Sequence, residues 1–149
     1  MSATLLTGIW LVVQTPTEGG ISGTTNPINL ELNLQRNGKD VELDTADSRS
    51  SQPDRQKYNQ TITAGLATQY FWGKPKGHMD LNELTGIDLE VEGDGTYTPR
   101  AVWVFGTDGE HKFLLGALTS NTKSTSNGNS LNIPLGDQLW LVTGPSTQG

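Results

Sequence analysis

The clearest pattern in the chain is a strict alternation of aliphatic and polar residues over 28–35, INLELNLQ. A period of two places the aliphatic side chains on one face of a strand and the polar side chains on the other. Asn37-Gly38 follows directly, and this dipeptide tolerates the positive φ angles of a two-residue type I′ turn. The pattern therefore predicts a hairpin in which Leu34 faces Val41 and both strands present aliphatic residues to one core.

A second hairpin is predicted between AVWVF at 101–105 and KFLL at 112–115, with Asp108-Gly109 as its two-residue loop. This register predicts four cross-strand pairs: Val102 with Leu115, Trp103 with Leu114, Val104 with Phe113, and Phe105 with Lys112. The first and third pairs form a core face, and the other two lie on the opposite side. Both faces of this ribbon are apolar enough to need cover.

Further segments bring the predicted strands to eight, at 9–14, 57–63, 87–92 and 139–143, and the apolar run at 9–14 suits a central strand. A single helical turn is expected at 81–84, and no convincing helical periodicity is found. The polar stretches 44–55 and 119–130 carry no element signal. We therefore predict an all-β antiparallel sandwich that forms one domain over 1–144, with a fraying tail at 145–149.

Composition excludes several classes of protein. The 149 residues suit a single domain, and a net charge of −6 opposes binding to the phosphates of nucleic acids. The chain has no cysteine, so disulfide frameworks and thiolate metal sites are excluded. The apolar N-terminal stretch has no basic region and falls short of the ~18 apolar residues of a membrane span. Neither a signal peptide nor a transmembrane helix is predicted, and the localisation stays open.

Four segments in a fixed order carry a family resemblance: INLELNLQ with its hairpin, YNQTIT at 58–63, LNELTGIDLEVEGDG at 81–95, and AVWVF at 101–105. Together with the apolar strand at 9–14, this order resembles PLAT (lipoxygenase-homology) domains over residues 8–142. The resemblance implies an eight-stranded sandwich of two four-stranded sheets. It also implies a non-catalytic module that docks an enzyme or toxin on a membrane, a lipid or a protein partner, sometimes with calcium in its loops.

The segment 70–78 concentrates aromatic and basic residues in a chain that is otherwise acidic. Its candidate binding residues are Tyr70, Phe71, Trp72, Lys74, Lys76 and His78. Three consecutive aromatic residues cannot share one face of a strand, so at least one needs cover from elsewhere. They either plug one end of the sandwich or contact a lipid interface or a sugar ring. Trp103, on the face opposite Val102 and Val104, is a further candidate for ligand binding or for a structural role.

An acidic stretch provides the one candidate metal site. Asp44, Asp47 and Asp54 offer the hard oxygen ligands that calcium prefers, although their spacing matches no calcium motif. A solvated acidic loop is the alternative. No cofactor is required by any motif, and calcium is the ion that this stretch permits.

Enzymatic signals are mostly negative. His78 and His111 are the only histidines, and neither lies in an H-E-x-x-H pattern. The sequence GISGT at 20–24 misses the G-x-S-x-G nucleophile motif at its last position, and no Gly-Lys-Ser/Thr phosphate loop is present. The chain is therefore not expected to be an enzyme.

The sequence favours a binding or targeting module that docks on a membrane interface, a lipid or a lipid-associated protein. Much of this partner choice rests on the family resemblance. Two alternatives stay open. One is a structural or assembly subunit, such as the targeting component of a multicomponent secreted, toxin-like complex. The other is a carbohydrate-binding module that uses Trp72 or Trp103.

Overall fold

Nearly all regular structure in the computed structural model is β-strand. The structure describes residues 5–15, 28–44, 67–73, 80–91, 96–126, 128–136 and 141–142, with the backbone alone at 44, 67–73 and 141–142. The strands are β1 (Gly8–Gln14), β2 (Ile28–Arg36), β3 (Lys39–Asp44), β4 (Ala67–Gly73), β5 (Leu84–Val91), β6 (Thr96–Tyr97), β7 (Ala101–Thr107), β8 (Lys112–Leu118), β9 (Thr125–Ser126), β10 (Leu131–Ile133) and β11 (Leu141–Val142). The predicted strand 57–63 and tail 145–149 lie outside the described residues.

The strands form two main antiparallel sheets. One has the order β11-β8-β7-β1-β4, the other has the order β10-β5-β2-β3, and β6 pairs with β9 in a small separate ribbon. The predicted antiparallel sandwich is therefore confirmed. In the described part of the chain the sheets have five and four strands rather than four each, and β4, β6, β9 and β10 were not predicted.

The core lies between the two main sheets and is almost entirely aliphatic. Ile9, Leu11 and Val13 of β1 are fully buried, as are Leu30 of β2 and Leu89 of β5. These residues alternate with polar or half-buried positions, so each strand contributes one face to the core. The predicted central position of the first strand is confirmed, because β1 lies between β7 and β4.

The first hairpin has the predicted register. Leu34 of β2 pairs with Val41 of β3 across the Asn37-Gly38 turn. Asn37 has a φ of 53° and Gly38 a φ of 76°, the two positive values that a type I′ turn requires.

The second hairpin has a different register from the one predicted. Thr107 pairs with Lys112, so the loop has four residues, 108–111, instead of two. The Asp108 carboxylate accepts hydrogen bonds from the backbone N–H groups of Glu110 (2.9 Å) and His111 (2.7 Å) and closes the longer turn. The two-residue prediction correctly placed Gly109 in the turn but did not include the hydrogen bonds to the Asp108 side chain. The predicted register beside the turn is therefore wrong by two residues.

A bulge in β8 completes the correction. Phe105 pairs with Leu114 and Val104 pairs with Gly116, which leaves Leu115 as the extra residue. The shift from the predicted register is two residues from Phe105 to Thr107 and three residues beyond the bulge, where the extra residue restores the alternation of faces. Val104 and Leu115 are therefore both buried in the core, as predicted. Trp103 lies opposite Ala117 rather than Leu114, on the outer face.

The other local predictions can also be compared with the structure. A 3-10 turn at Leu81–Glu83 confirms the expected helical turn, and the Asp80 side chain accepts from the Asn82 N–H at 3.0 Å at its start. The polar stretch 119–130 contains β9, which the sequence did not predict. Among the described residues, no helix is long and apolar enough to cross a membrane.

Candidate functional site

The outer face of the five-stranded sheet carries large apolar side chains. On β1, Trp10 and Val12 alternate with the fully buried Ile9, Leu11 and Val13, so they face away from the core. Both are half-buried. An outward face on a central strand is normally polar when it meets water, so these two residues indicate a surface that needs cover.

Neighbouring strands extend this surface across the sheet. Trp10 is aligned with Phe105 of β7, and Phe105 is aligned with Leu114 of β8, which gives a continuous cross-strand row. Val12 and Trp103 form the centre of a second row. Directly aligned residues of an antiparallel pair share a face and contact one another. We define the aromatic face as Trp10, Val12, Trp103, Phe105 and Leu114, all of which are half-buried.

One lysine is held against the aromatic face. Lys112 of β8 places its Nζ 4.8 Å from the centroid of the Trp10 ring, within cation–π range. The outward positions of the described strands in this sheet include no aspartate or glutamate. In a chain of net charge −6, this sheet face is therefore apolar with a local positive charge.

The outer face of the four-stranded sheet has the opposite character. Six acidic residues occupy its outward register positions: Glu31, Asp40, Glu42, Asp44, Asp88 and Glu90. Some of these carboxylates are anchored, since Asp88 accepts from Asn33 (3.2 Å) and Glu90 accepts from the Gly128 N–H (2.8 Å). The sandwich is thus polarised, with an aromatic outer face on one side and an acidic outer face on the other.

The predicted aromatic residues at 70–72 lie in β4, beside β1. Phe71 is aligned with Trp10, at a position on the aromatic side of the sheet. Trp72 is aligned with Ile9 and Tyr70 with Leu11, at positions on the core side. Lys74, Lys76 and His78 lie outside the described residues. Binding by this segment stays a prediction.

The candidate calcium ligands are only partly covered. Asp44 ends β3, at a register position beside Glu31, while Asp47 and Asp54 lie outside the described residues. Within the ranges that the structure describes, no group of three or more His, Asp or Glu side chains could hold a metal ion. Calcium binding by this stretch stays a prediction.

The sequence named Trp103 as a candidate and placed Phe105, Leu114 and Lys112 on the same side of the second hairpin, but it did not assign Trp10 and Val12 to this surface. The signal was present, because the predicted second hairpin had two apolar faces and the run at 9–14 was apolar on both sides. What the pattern lacked was the pairing of β1 with β7, which joins residues about ninety positions apart.

Comparisons with known proteins bear on the fold. No protein-family model matches the chain, and no curated protein matches it. Fourteen solved chains match in structure. One is an alpha toxin from Clostridium absonum, with a TM-score of 0.59 and 14% identity over 89% of this chain and 32% of the toxin chain. Two others are engineered lipoxygenase variants with TM-scores of 0.47 and 0.45 and identities of 16% and 15%.

The lipoxygenase matches cover 87% of this chain and 16% of theirs, so the chain spans about a third of the toxin chain and about a sixth of the lipoxygenase chains. At 14% identity the likeness to the toxin concerns the fold alone. It agrees with the PLAT-like fold that the sequence resemblance implied. The chain therefore has a PLAT-like β-sandwich fold.

Proposed function

We propose that this chain is a non-catalytic docking module that rests on a lipid membrane interface through its aromatic face. The observation that carries this proposal is the row Leu114–Phe105–Trp10, which crosses three strands on the outside of the sandwich beside Lys112. The PLAT-like fold supports it, because such domains dock a larger protein on a membrane, a lipid or a protein partner.

The chemistry of the aromatic face suits an interface between water and hydrocarbon. Aromatic side chains concentrate at the headgroup level of membranes, where large rings leave water without entering the hydrocarbon centre. Removing each further ~100 Å² of apolar surface from water contributes roughly 2–3 kcal/mol. A broad sheet face presents several rings at once, which fits an extended surface better than a small ligand.

The charge distribution gives the docking an orientation. A lysine near an anionic membrane surface contributes about 1 kcal/mol, and Lys112 lies on the aromatic face. The six carboxylates of the opposite sheet face would be repelled by the same surface. The module therefore docks with the five-stranded sheet toward the lipid and the four-stranded sheet toward water.

The segment 70–78 extends the same surface in this proposal. Phe71 continues the Trp10 row onto β4, and Lys74, Lys76 and His78 follow β4 in the chain. In this proposal Lys74 and Lys76 add positive charge to the docking segment. Their contribution is part of the proposal.

Two phenylalanines on adjacent strands provide a matched test. Phe105 and Phe113 are both half-buried, but Phe105 lies on the aromatic face whereas Phe113 packs against the core. Phe105→Ala should weaken sedimentation with phosphatidylcholine–phosphatidylserine vesicles at least about fivefold, because it removes an interfacial ring. Phe113→Ala should lower the melting temperature yet leave binding by the folded protein unchanged.

The alternative of an assembly subunit gives a different outcome. If another copy of the chain covers the aromatic face, the wild-type protein should not bind vesicles and should form oligomers. Phe105→Ala should then dissociate these oligomers. Light scattering measures this directly. Equal loss of vesicle binding in both phenylalanine variants would remove the aromatic face as the docking surface.

A further inference from the structure

A polar cleft of about 870 Å³ lies on a different part of the molecule. Its walls are the segment 118–124, which begins at the last residue of β8, and the segment 129–134, which includes β10. The cleft shares no residue with the aromatic face. Its volume falls within the range of small-molecule sites, which is about 300–1,000 Å³.

Most of the residues that line the cleft have hydroxyl or amide side chains. Thr119, Ser120, Thr122 and Ser130 contribute hydroxyls, each of which can both donate and accept a hydrogen bond. Lys123 is the single charged side chain among the described residues that line it. Such a lining suits a ligand that is rich in hydroxyl groups and is neutral or anionic.

The first wall of the cleft is fixed by one asparagine. The Asn121 side-chain amide donates to the backbone oxygens of Pro99 and Lys123, both at 2.7 Å, and its oxygen accepts from the Lys123 N–H at 3.0 Å. The Asn121 backbone N–H also donates to the Arg100 oxygen at 2.9 Å. These bonds hold the loop in place without using the hydroxyls of its neighbours.

The second wall is fixed by a buried threonine. The Thr125 hydroxyl lies 2.9 Å from the Leu89 oxygen and 3.0 Å from the Asn129 oxygen, and Thr125 is fully buried. The Ser126 backbone N–H donates to the Asn129 oxygen at 3.0 Å, and the Asn129 N–H donates to the Ser126 oxygen at 2.9 Å. Because both walls are held by internal bonds, the backbone that carries the polar groups of the cleft is pre-organised for a ligand.

Leu118 and Leu131 add apolar surface to this lining. A pyranose ring suits this combination of polar and apolar groups, since it presents hydroxyl groups around its edge and C–H groups on its faces. A phosphate ion is bound most strongly by several cationic groups, and the described lining has a single one, Lys123. The lining therefore favours a sugar over an inorganic anion.

Ser120 has a backbone conformation that its side chain does not favour. Its φ is +52°, and among the described residues the only other non-glycine residue with a positive φ is Asn37, in the type I′ turn. Asparagine is common in this region, whereas serine is not among the residue types enriched there. Glycine would adopt the same φ without strain, so the presence of serine at this position indicates that its hydroxyl group has a function.

We propose that this cleft binds one hydroxyl-rich sugar unit, such as a terminal residue of a glycan. The inference is independent of membrane docking, because it rests on different residues. Without an aromatic ring among the described lining residues, the affinity for a single sugar is expected in the millimolar range.

The test is an amide NMR titration of the full chain with glucose, galactose, N-acetylglucosamine and sialic acid, each at tens of millimolar. The expected result is a saturable shift, for at least one sugar, confined to 118–124 and 129–134. Inorganic phosphate is titrated in parallel. The proposal is overturned if no sugar causes a shift, if the shifts fall elsewhere, or if phosphate alone reproduces them.

Ser120→Gly and Asn37→Gly provide a matched pair of variants for the sugar that responds. Both replace a residue with positive φ by glycine, and Asn37 lies in a turn whose residues do not line the cleft. Ser120→Gly should weaken sugar binding by about fivefold, because one hydrogen bond is lost, whereas Asn37→Gly should leave it unchanged. Equal affinities for the two folded variants would overturn the assignment of Ser120 to the site.

Discussion

Lys112 holds its ammonium nitrogen 4.8 Å from the centroid of the Trp10 ring, although strand β7 separates the strands on which the two residues lie. The exposed side chain of Lys112 therefore reaches across the sheet face toward Trp10. A cation–π contact of this kind contributes about 0.5–2 kcal/mol. It keeps a positive charge beside the rings that we propose to contact lipid.

The first prediction concerns this charge. Lys112→Glu should weaken binding to anionic vesicles roughly tenfold or more and reduce its salt dependence, because a local attraction becomes a repulsion. Lys39→Glu changes the net charge equally but lies at an exposed position in the other main sheet. Vesicle sedimentation at two ionic strengths should show little change for Lys39→Glu. An equal loss in both variants would mean that total charge, rather than the aromatic face, controls binding.

The second prediction concerns a buried polar pair that fixes the end of β1. The Tyr97 hydroxyl lies 2.8 Å from the Thr15 hydroxyl, and burial raises the pKa of Tyr97 to about 12. Tyr97→Phe should cost about 1–3 kcal/mol of unfolding free energy, because it leaves the Thr15 hydroxyl buried without its partner. Adding Thr15→Val should recover part of that loss in urea melts. Strict additivity of the two single changes would show that the hydroxyls do not interact.

The third prediction concerns the tip of the second hairpin. Hydrogen bonds from the His111 and Glu110 backbone N–H groups, together with the His111 ring, lower the pKa of Asp108 from 3.8 to about 2. Because the folded state binds this proton more weakly than the unfolded state, the stabilisation is present above the unfolded pKa and is lost as pH falls through about 2.

Asp108→Asn removes the charge and tests this directly. The wild-type protein should melt at a higher temperature than Asp108→Asn near neutral pH, and the difference should shrink as the pH falls below 3.8. Glu42→Gln, at an exposed position on β3, serves as the control. A difference that stays constant through the acid range would show that the Asp108 charge does not stabilise the turn.

The two hairpins show why sequence patterns predict faces better than registers. Asn37-Gly38 forms its turn through two positive φ angles, which these two residue types favour. The pairing predicted from this dipeptide is therefore correct. Asp108 closes its turn through a side chain that accepts hydrogen bonds from two backbone N–H groups. A two-residue turn template does not include such a side-chain contact. The alternation of β7 still placed Trp103 outside and Val104 inside.

The candidate site was harder to predict because it depends on distant pairing. Alternation alone could assign Trp103 to an outer face, but the Trp10 row exists only because β1 lies between β7 and β4. For the 70–72 segment, the pattern correctly required the aromatic residues to divide between two faces. It could not say that Phe71, rather than Trp72, aligns with Trp10.

The central claim is that the aromatic side of the sandwich faces lipid and the acidic side faces water. Because the chain has no cysteine, a single spin label can be attached to either side. Gln14→Cys places it at an exposed outward position of β1, and Glu42→Cys places it on the acidic face.

Electron paramagnetic resonance on vesicle-bound protein then measures how each label collides with oxygen, which concentrates in lipid, and with a water-soluble nickel complex. Our account predicts that vesicles increase the oxygen collisions and reduce the nickel collisions of the label at position 14, while the label at position 42 keeps its collision rates. Two results for vesicle-bound protein would contradict this account. In one, the label at position 42 is shielded from nickel instead of the label at position 14. In the other, the collision rates of neither label change.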